Sequence, residues 1–471
     1  MPINNFLLPG AKTTPAYEVA NSVRFNGADS PALKRNSMGT ATNRKKWTLS
    51  MWVKRSTTDQ RMLASFDGAK SYFQFQSGGQ LEVNDVPVST FNYRLVTNAV
   101  YRDVSAWMHI VVAFDSTQGT DSNRLKLYVN GEQPSLGTAT YPSSDFEPEV
   151  NSTGSHKYGS YDDSTDFAFD GYFAEIVFID GTQYAASDFG EFDSDSPQIW
   201  KPKDPSGLTF GTNGHYLDFE SSGTLGNDIN GGTDFDANNL AATDQCVDTC
   251  TNNFATINSL DNYWAGATFS EGNTKVVTGS SNEAMSTSTF AMTRGKWYFE
   301  VDNMSGAGAR ICGITPTVSF SGGGHGKAGD VTPHTVSYVA GGAVQEGDGS
   351  GGQSTLATYA SYANGDIIGV YMDLDNMKAY FSKNGSLQSS TGINMEPLAS
   401  NGTGHYMFFV GDNNTGSRTV EANFGNPFQT QTSSVADDNG YGKFEYSPNI
   451  TGDGSAKSFY ACCTKNLAEF G

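Results

Sequence analysis

The sequence predicts an all-β chain: two antiparallel β-sandwich (jelly-roll) domains in tandem, with irregular N-terminal, linker and C-terminal segments. Three observations predict it. Charged residues are only 17% of the 471, whereas glycine contributes 53 and aromatics 12%, a balance that favours strands and tight turns over helices. Apolar residues recur with period two in two long blocks, and a Gly/Asn/Asp-rich stretch separates them. Helical periodicity is almost absent, with Ala185 to Phe189 the one candidate for a short helical turn.

Residues 1–21 read as an N-terminal docking segment, irregular because of Pro2, Pro9 and Pro15, with an apolar run Phe6-Leu7-Leu8. The first sandwich is placed at 22–200. In Trp47 to Val53, alternation sets Trp47, Leu49, Met51 and Val53 on one face. Trp52 falls on the other face, which implies that this face is covered too. Trp107 to Phe114 and Leu125 to Val129 follow as strands, and the second ends in Asn130-Gly131, a pair that tolerates positive φ at both turn positions. Tyr172 to Ile179 reads as a buried strand ending at Asp180-Gly181.

Lys201-Pro202-Lys203-Asp204-Pro205 marks a boundary, and 201–261 reads as linker and ordered loops. The second sandwich is placed at 262–428. Within it Trp297, Phe299 and Val301 face one way, Tyr298 and Glu300 the other. Asp366 to Asp373 and Met377 to Phe381 flank the turn Asp375-Asn376, and the second of these strands ends at Asn384-Gly385. Ser321 to Gly352 reads as long glycine-rich surface loops. Residues 429–471 form a C-terminal tail whose last stretch, Phe459 to Phe470, is apolar enough to dock.

The charge balance, 29 basic against 50 acidic residues and a net of −21, repels phosphate backbones and anionic lipid, so no nucleic-acid partner is expected. No segment has the roughly 18 consecutive apolar residues of a membrane helix, so no membrane insertion is expected either. Met1 to Gly10 lacks a basic region and a long apolar run, so no secretory signal is expected. The five cysteines are too sparse for a disulfide scaffold, and no CxxC pair suggests zinc. Cys246 and Cys250 are candidates to pair across a turn in an oxidising medium.

No catalytic residue is assigned. Glu300-Val301-Asp302-Asn303-Met304-Ser305 matches two carboxylates of the E-x-D-x-x-E arrangement of glycoside hydrolases and fails at Ser305, so the acid–base pair is incomplete. Ser321 to Ala328 lacks the first glycine and the hydroxyl of a phosphate loop. His325 and His334 have no cysteines beside them and read as surface residues. Calcium is the one ion the chain suits, and no other cofactor is expected. Asp162, Asp163, Asp166 and Asp170 form an oxygen-rich cluster, and Asp228, Asn230, Asp234 and Asp236 form another. Each reads equally as a solvated acidic loop. Glycan binding needs aromatic faces beside planar hydrogen-bonding groups. The candidates are Tyr158, Tyr161, Tyr338, Tyr359 and Tyr362, taken as loop residues.

The first block resembles the laminin-G-like, concanavalin A-like sandwich. Ser22 to Phe25, Trp47 to Val53, Trp107 to Val111, Leu127 to Gly131 and Phe169 to Glu175 carry the resemblance. The second block resembles a SPRY domain through Gly295 to Val301, Gly365 to Val370 with Asp373 to Asp375, Phe381 to Gly385 and Asn423 to Gly425. Their pairing, with the end segment Phe459 to Leu467, is similar to that of marine tailed-phage virion proteins of tail-fibre or appendage type. The resemblance implies a non-enzymatic, multicopy or homo-oligomeric protein of the virion surface. Its partners would be other virion proteins and a host-surface glycan or receptor. A purely structural capsid or tail decoration or connector is the alternative.

Overall fold

In the computed structural model of the protein, the residues described are 17–161, 166–263, 267–279, 284–305, 310–316, 333–347, 352–412, 417–451 and 456–471. The architecture is all-β. Among the described residues the α-helices are two short ones, Asp121–Arg124 and Thr464–Phe470, and Ala186–Asp188 is a 3-10 turn.

Strands of the N-terminal half build two antiparallel sheets. One runs Gln245–Cys246, Ser22–Phe25, Gly171–Asp180, Lys46–Arg55, Trp107–Asp115, Leu125–Val129, with His215–Leu217 also on Gly171–Asp180. The facing sheet runs from Leu136–Thr140 to Asp236–Asn238. Trp47, Leu49, Met51 and Val53 all point into the core between them, as the alternation requires. Trp47 lies nearly parallel to Phe114 at 5.2 Å. Each such fully buried side chain contributes about 1.5–3 kcal/mol. The segment expected as linker is drawn into this sandwich: His215–Leu217, Asp236–Asn238 and Gln245–Cys246 pair with strands of both sheets. Three-residue strands among turn-formers leave too little periodicity to be read from sequence.

The C-terminal half builds a seven-stranded and a nine-stranded sheet. Trp297, Phe299 and Val301 enter the core between them. Tyr298 faces away, under a second cluster formed with Phe444, Ile450, Phe459 and Cys463. The tail therefore docks on the flank of this sandwich, and Tyr460–Ala461 adds a parallel strand beside Lys296–Ser305. Phe6-Leu7-Leu8 lies outside the described residues. Within the stretch expected as loops, Val336–Val339 and Ala343–Gly347 are paired strands, hidden in the sequence by the glycines around them. Of that stretch, 321–332 and 348–351 lie outside the described residues, His325 included.

The two sandwiches touch. Tyr172 Oη donates to Gly272 O at 2.9 Å, and a Cβ on Gly272 would lie 1.9 Å from that hydroxyl. Asn273 Nδ2 donates to Ser56 O at 2.8 Å. Arg24, 1% exposed, reaches Glu271 at 3.2 Å.

Candidate functional site

A cleft lies on the outer face of the first sandwich, the face on which alternation places Trp52. Register sets Trp52 opposite His109 and Lys54 opposite Trp107. On the other side the same two residues face Ala174 and Tyr172. Two rows of side chains, Tyr172–Lys54–Trp107 and Ala174–Trp52–His109, thus stand side by side on one surface. Val19 packs on Trp52, and Tyr17, Trp107, Trp200 and Cys250 surround them. The cleft has a volume of about 890 Å³. Its rim carries Asp193, Asp195 and Lys201 from one hairpin, Asn253 from a loop and Thr464 from the C-terminal helix.

Each wall is held in place by polar contacts. Trp200 Nε1 donates to His109 Nδ1 at 2.9 Å. The His109 proton therefore sits on Nε2, which donates to Ser50 Oγ at 2.7 Å. Burial pushes the His109 pKa down to about 3, so the ring is neutral at physiological pH. Trp52 stacks on it at 4.7 Å and 20°. Behind Trp200 lies the Asn130-Gly131 turn, with φ of 49° and 81°. A Cβ on Gly131 would come within 2.4 Å of the Trp200 ring, and Asn130 Oδ1 accepts from His109 N at 2.8 Å. The turn is thus part of the cleft's scaffold.

Trp107 Nε1 donates to Asp248 Oδ1 at 2.9 Å. Asp248 Oδ2 lies 2.7 Å from Lys54 Nζ, and both side chains are buried. The same ammonium donates to Asn253 Oδ1 at 2.7 Å and to Phe254 O at 3.0 Å. One buried pair therefore fixes Trp107 and Asn253 together. Tyr17 is fixed by Glu175, which sits at a bulge in Gly171–Asp180 with φ of 49°. Tyr17 and Tyr216 hydroxyls both donate to Glu175 Oε2 at 2.6 Å. Burial raises the Glu175 pKa to about 7.

The tyrosines expected on loops are placed differently. Tyr158 is fully buried on the strand His156–Tyr158, its hydroxyl 2.7 Å from His215 Nε2. Tyr338 is fully buried on a strand, and Tyr362 is 5% exposed with its hydroxyl donating to Tyr338 O at 2.8 Å. These three are core residues, which corrects the expectation that they contact a ligand. Each ring has apolar area to bury and a hydroxyl that finds an internal acceptor. Tyr359 is half-buried, edge-on to Tyr338. Tyr161 is half-buried, edge-on to Tyr72. Neither lines the cleft.

Of the calcium candidates, Asp162 and Asp163 lie outside the described residues, and Asp166 is exposed. Burial pushes the Asp170 carboxyl up to about 6. In the second acidic stretch, Asp228 is a structural hub: it pairs with Arg35 at 3.3 Å and accepts from Tyr216 N at 2.9 Å. Among the described residues, no group of three or more His, Cys, Asp or Glu is arranged to hold a metal ion.

Cys246 and Cys250 are free thiols, which corrects the expected pairing. Cys246 is on a strand edge with its sulfur 3.8 Å from Arg24, whereas Cys250 packs in the Trp52 cluster. Glu300, the lead carboxylate of the incomplete hydrolase pattern, is fully buried. It accepts from Glu445 N at 2.9 Å and Tyr446 N at 2.7 Å, so it anchors the tail.

Residues 26–186 match a laminin-G-type family model described as the Concanavalin A-like lectin/glucanases superfamily. That match lies within the first sandwich and covers about a third of the chain. No curated protein matches the sequence. Among solved structures, the SPRY domain of human HERC1 is similar at 15% identity over 35% of this chain and 96% of that one, with a TM-score of 0.27. A native heptameric SAP-like pentraxin from Limulus polyphemus is similar at 13% identity over 36% of this chain and 80% of that one, also at 0.27.

The sequence reading missed the cleft itself. Its one usable signal was Trp52, an indole on the wrong face of a core strand.

Proposed function

We propose that the chain is a carbohydrate-binding protein and that the tryptophan cleft is its binding site. The observation that carries this reading is the set of aromatic walls, Tyr17, Trp52, Trp107 and Trp200, around an open cleft rimmed by carboxylates, an amide and hydroxyls. Aromatic faces take the C–H faces of sugar rings, and planar polar groups take the hydroxyls. Two of the indoles are held by their N–H groups before any ligand arrives, so little ordering is left for the binding step. The lectin-type match over 26–186 supports the same class.

The wider setting we propose is the exterior of a tailed-phage particle, in several copies, with the cleft meeting a host-surface glycan and no bond in that glycan being cleaved. Multiple copies raise avidity by about 10² to 10⁴ over a single weak site. Titration of tryptophan fluorescence with surface polysaccharide tests the cleft: saturable quenching is expected, and Trp107→Ala with Trp200→Ala should abolish it. Immunogold labelling of particles tests the setting, and a reducing-end assay tests the absence of cleavage. A chain found on particles that binds no glycan would leave the structural-decoration reading in its place.

A further inference from the structure

Resting on the carbohydrate reading of the cleft, we infer that it takes neutral glycans and rejects those bearing carboxylate, sulfate or phosphate. The reason is the state of the positive charges among the described residues at and beneath the walls. Among the described residues that line the cleft, Lys201 is the only cation. Its ammonium lies 3.3 Å from Asp193 and 3.5 Å from Glu191, so two carboxylates already face one positive charge. Asp195, exposed on the same loop, adds a further negative charge at the rim. Asp193 is held in place by the backbone N–H groups of Asp195 and Ser196, both at 2.9 Å.

Two further cations among the described residues, Lys54 and Lys465, are engaged as well. Lys54 is buried beneath the floor against Asp248 at 2.7 Å. Lys465 lies 2.9 Å from Glu18. His109 offers no charge, because its Nδ1 lone pair receives the Trp200 indole N–H. An anionic sugar would have to break one of these pairs or sit beside surplus carboxylates. A neutral sugar meets neither obstacle. The rim carboxylates accept its hydroxyl protons, and the indoles cover its apolar face. The chain's net charge of −21 adds long-range repulsion in the same direction.

The test is binding of the full-length chain to a printed array of plain, N-acetylated, uronate-bearing, sialylated and sulfated glycans at about 20 mM and 300 mM salt. Neutral glycans are expected to bind at least about tenfold more tightly than anionic ones of the same backbone at low salt, with the gap narrowing at high salt. Asp193→Asn combined with Asp195→Asn should narrow that ratio. Anionic glycans bound as tightly as neutral ones, with that binding abolished by Trp200→Ala, would overturn the charge inference and leave the carbohydrate reading standing. The charge inference also falls if the double Asn variant, folded by circular dichroism, keeps the wild-type ratio. Binding to no glycan of either kind would overturn the carbohydrate reading, and this inference with it.

Discussion

Replacing Asp248 by asparagine should destabilise the protein and loosen the cleft at once. Lys54 is 1% exposed and Asp248 fully buried, and their charged atoms are 2.7 Å apart. Asparagine keeps the shape, and its Oδ1 still accepts from Trp107 Nε1. Its NH₂ group, however, would face the Lys54 ammonium donor against donor. That ammonium would keep two neutral acceptors, Asn253 Oδ1 and Phe254 O, and lose its counter-charge. Breaking one side of a buried pair costs about 3–5 kcal/mol. That is a large part of the roughly 5–15 kcal/mol that holds a folded domain. With a urea m-value of about 3 kcal/mol/M, the unfolding midpoint falls by about 1 M or more. The assay is urea unfolding followed by both circular dichroism and tryptophan fluorescence, because a chain of two sandwiches need not unfold in one step. The companion variant Lys54→Met with Asp248→Leu should lose less, since it removes both charges. It still leaves the Trp107 indole N–H without its acceptor, at about 1–3 kcal/mol. A midpoint shift under about 0.3 M for Asp248→Asn would refute the reasoning, because water would then be reaching the ammonium.

Gly131→Ala places a methyl 2.4 Å from the Trp200 ring at a φ of 81°. It should shift tryptophan emission and cost about 1 kcal/mol or more in thermal unfolding, and unchanged emission would count against the turn as scaffold. His109 and His156 are held at about 3, and His215 well below the ordinary 6.5, chiefly by burial. Their imidazole NMR signals should not titrate between pH 8 and 4.5. Because these rings stay neutral when folded but protonate near 6.5 when unfolded, stability falls as pH drops, by about 1.4 kcal/mol per histidine per pH unit. Glu175 and Glu300, raised from 4.5 to about 7 by burial, act in the opposite sense. Their contribution is complete below pH 4.5 and is lost as pH rises through 7. The melting temperature should therefore drop steeply below about pH 4.5 and again through pH 7, and a flat profile from pH 5 to 3.5 would contradict the buried neutral histidines. Thiol titration should find five reactive cysteines after non-reducing denaturation, and three would mean that a disulfide had been present.

Much of the fold was legible because its signals are local. Alternation assigns a face from adjacent residues alone, so the inward set Trp47, Leu49, Met51 and Val53, the outward Trp52 and the split of Trp297 from Tyr298 all appear as expected. Asn130-Gly131 and Asn384-Gly385 adopt positive φ at both positions, as their chemistry allows. The errors arose where strands are short. Tyr158 and Tyr338 looked like loop residues beside glycine, yet each sits on a strand of three or four residues, too short to display a period.

The sequence by itself determined which face of each long strand is apolar, where the tight turns fall, and that Trp52 stands apart from the core. The tertiary structure alone decided that Tyr17, Trp52, Trp107, Trp200, Asn253 and Thr464 share one cleft, and that the Asn130-Gly131 turn lies against the Trp200 ring. The physical reason is range. A face or a turn depends on backbone geometry over a few residues. The cleft depends on where segments hundreds of residues apart come to rest, and that is set by burial of the whole core and by the buried Lys54–Asp248 pair.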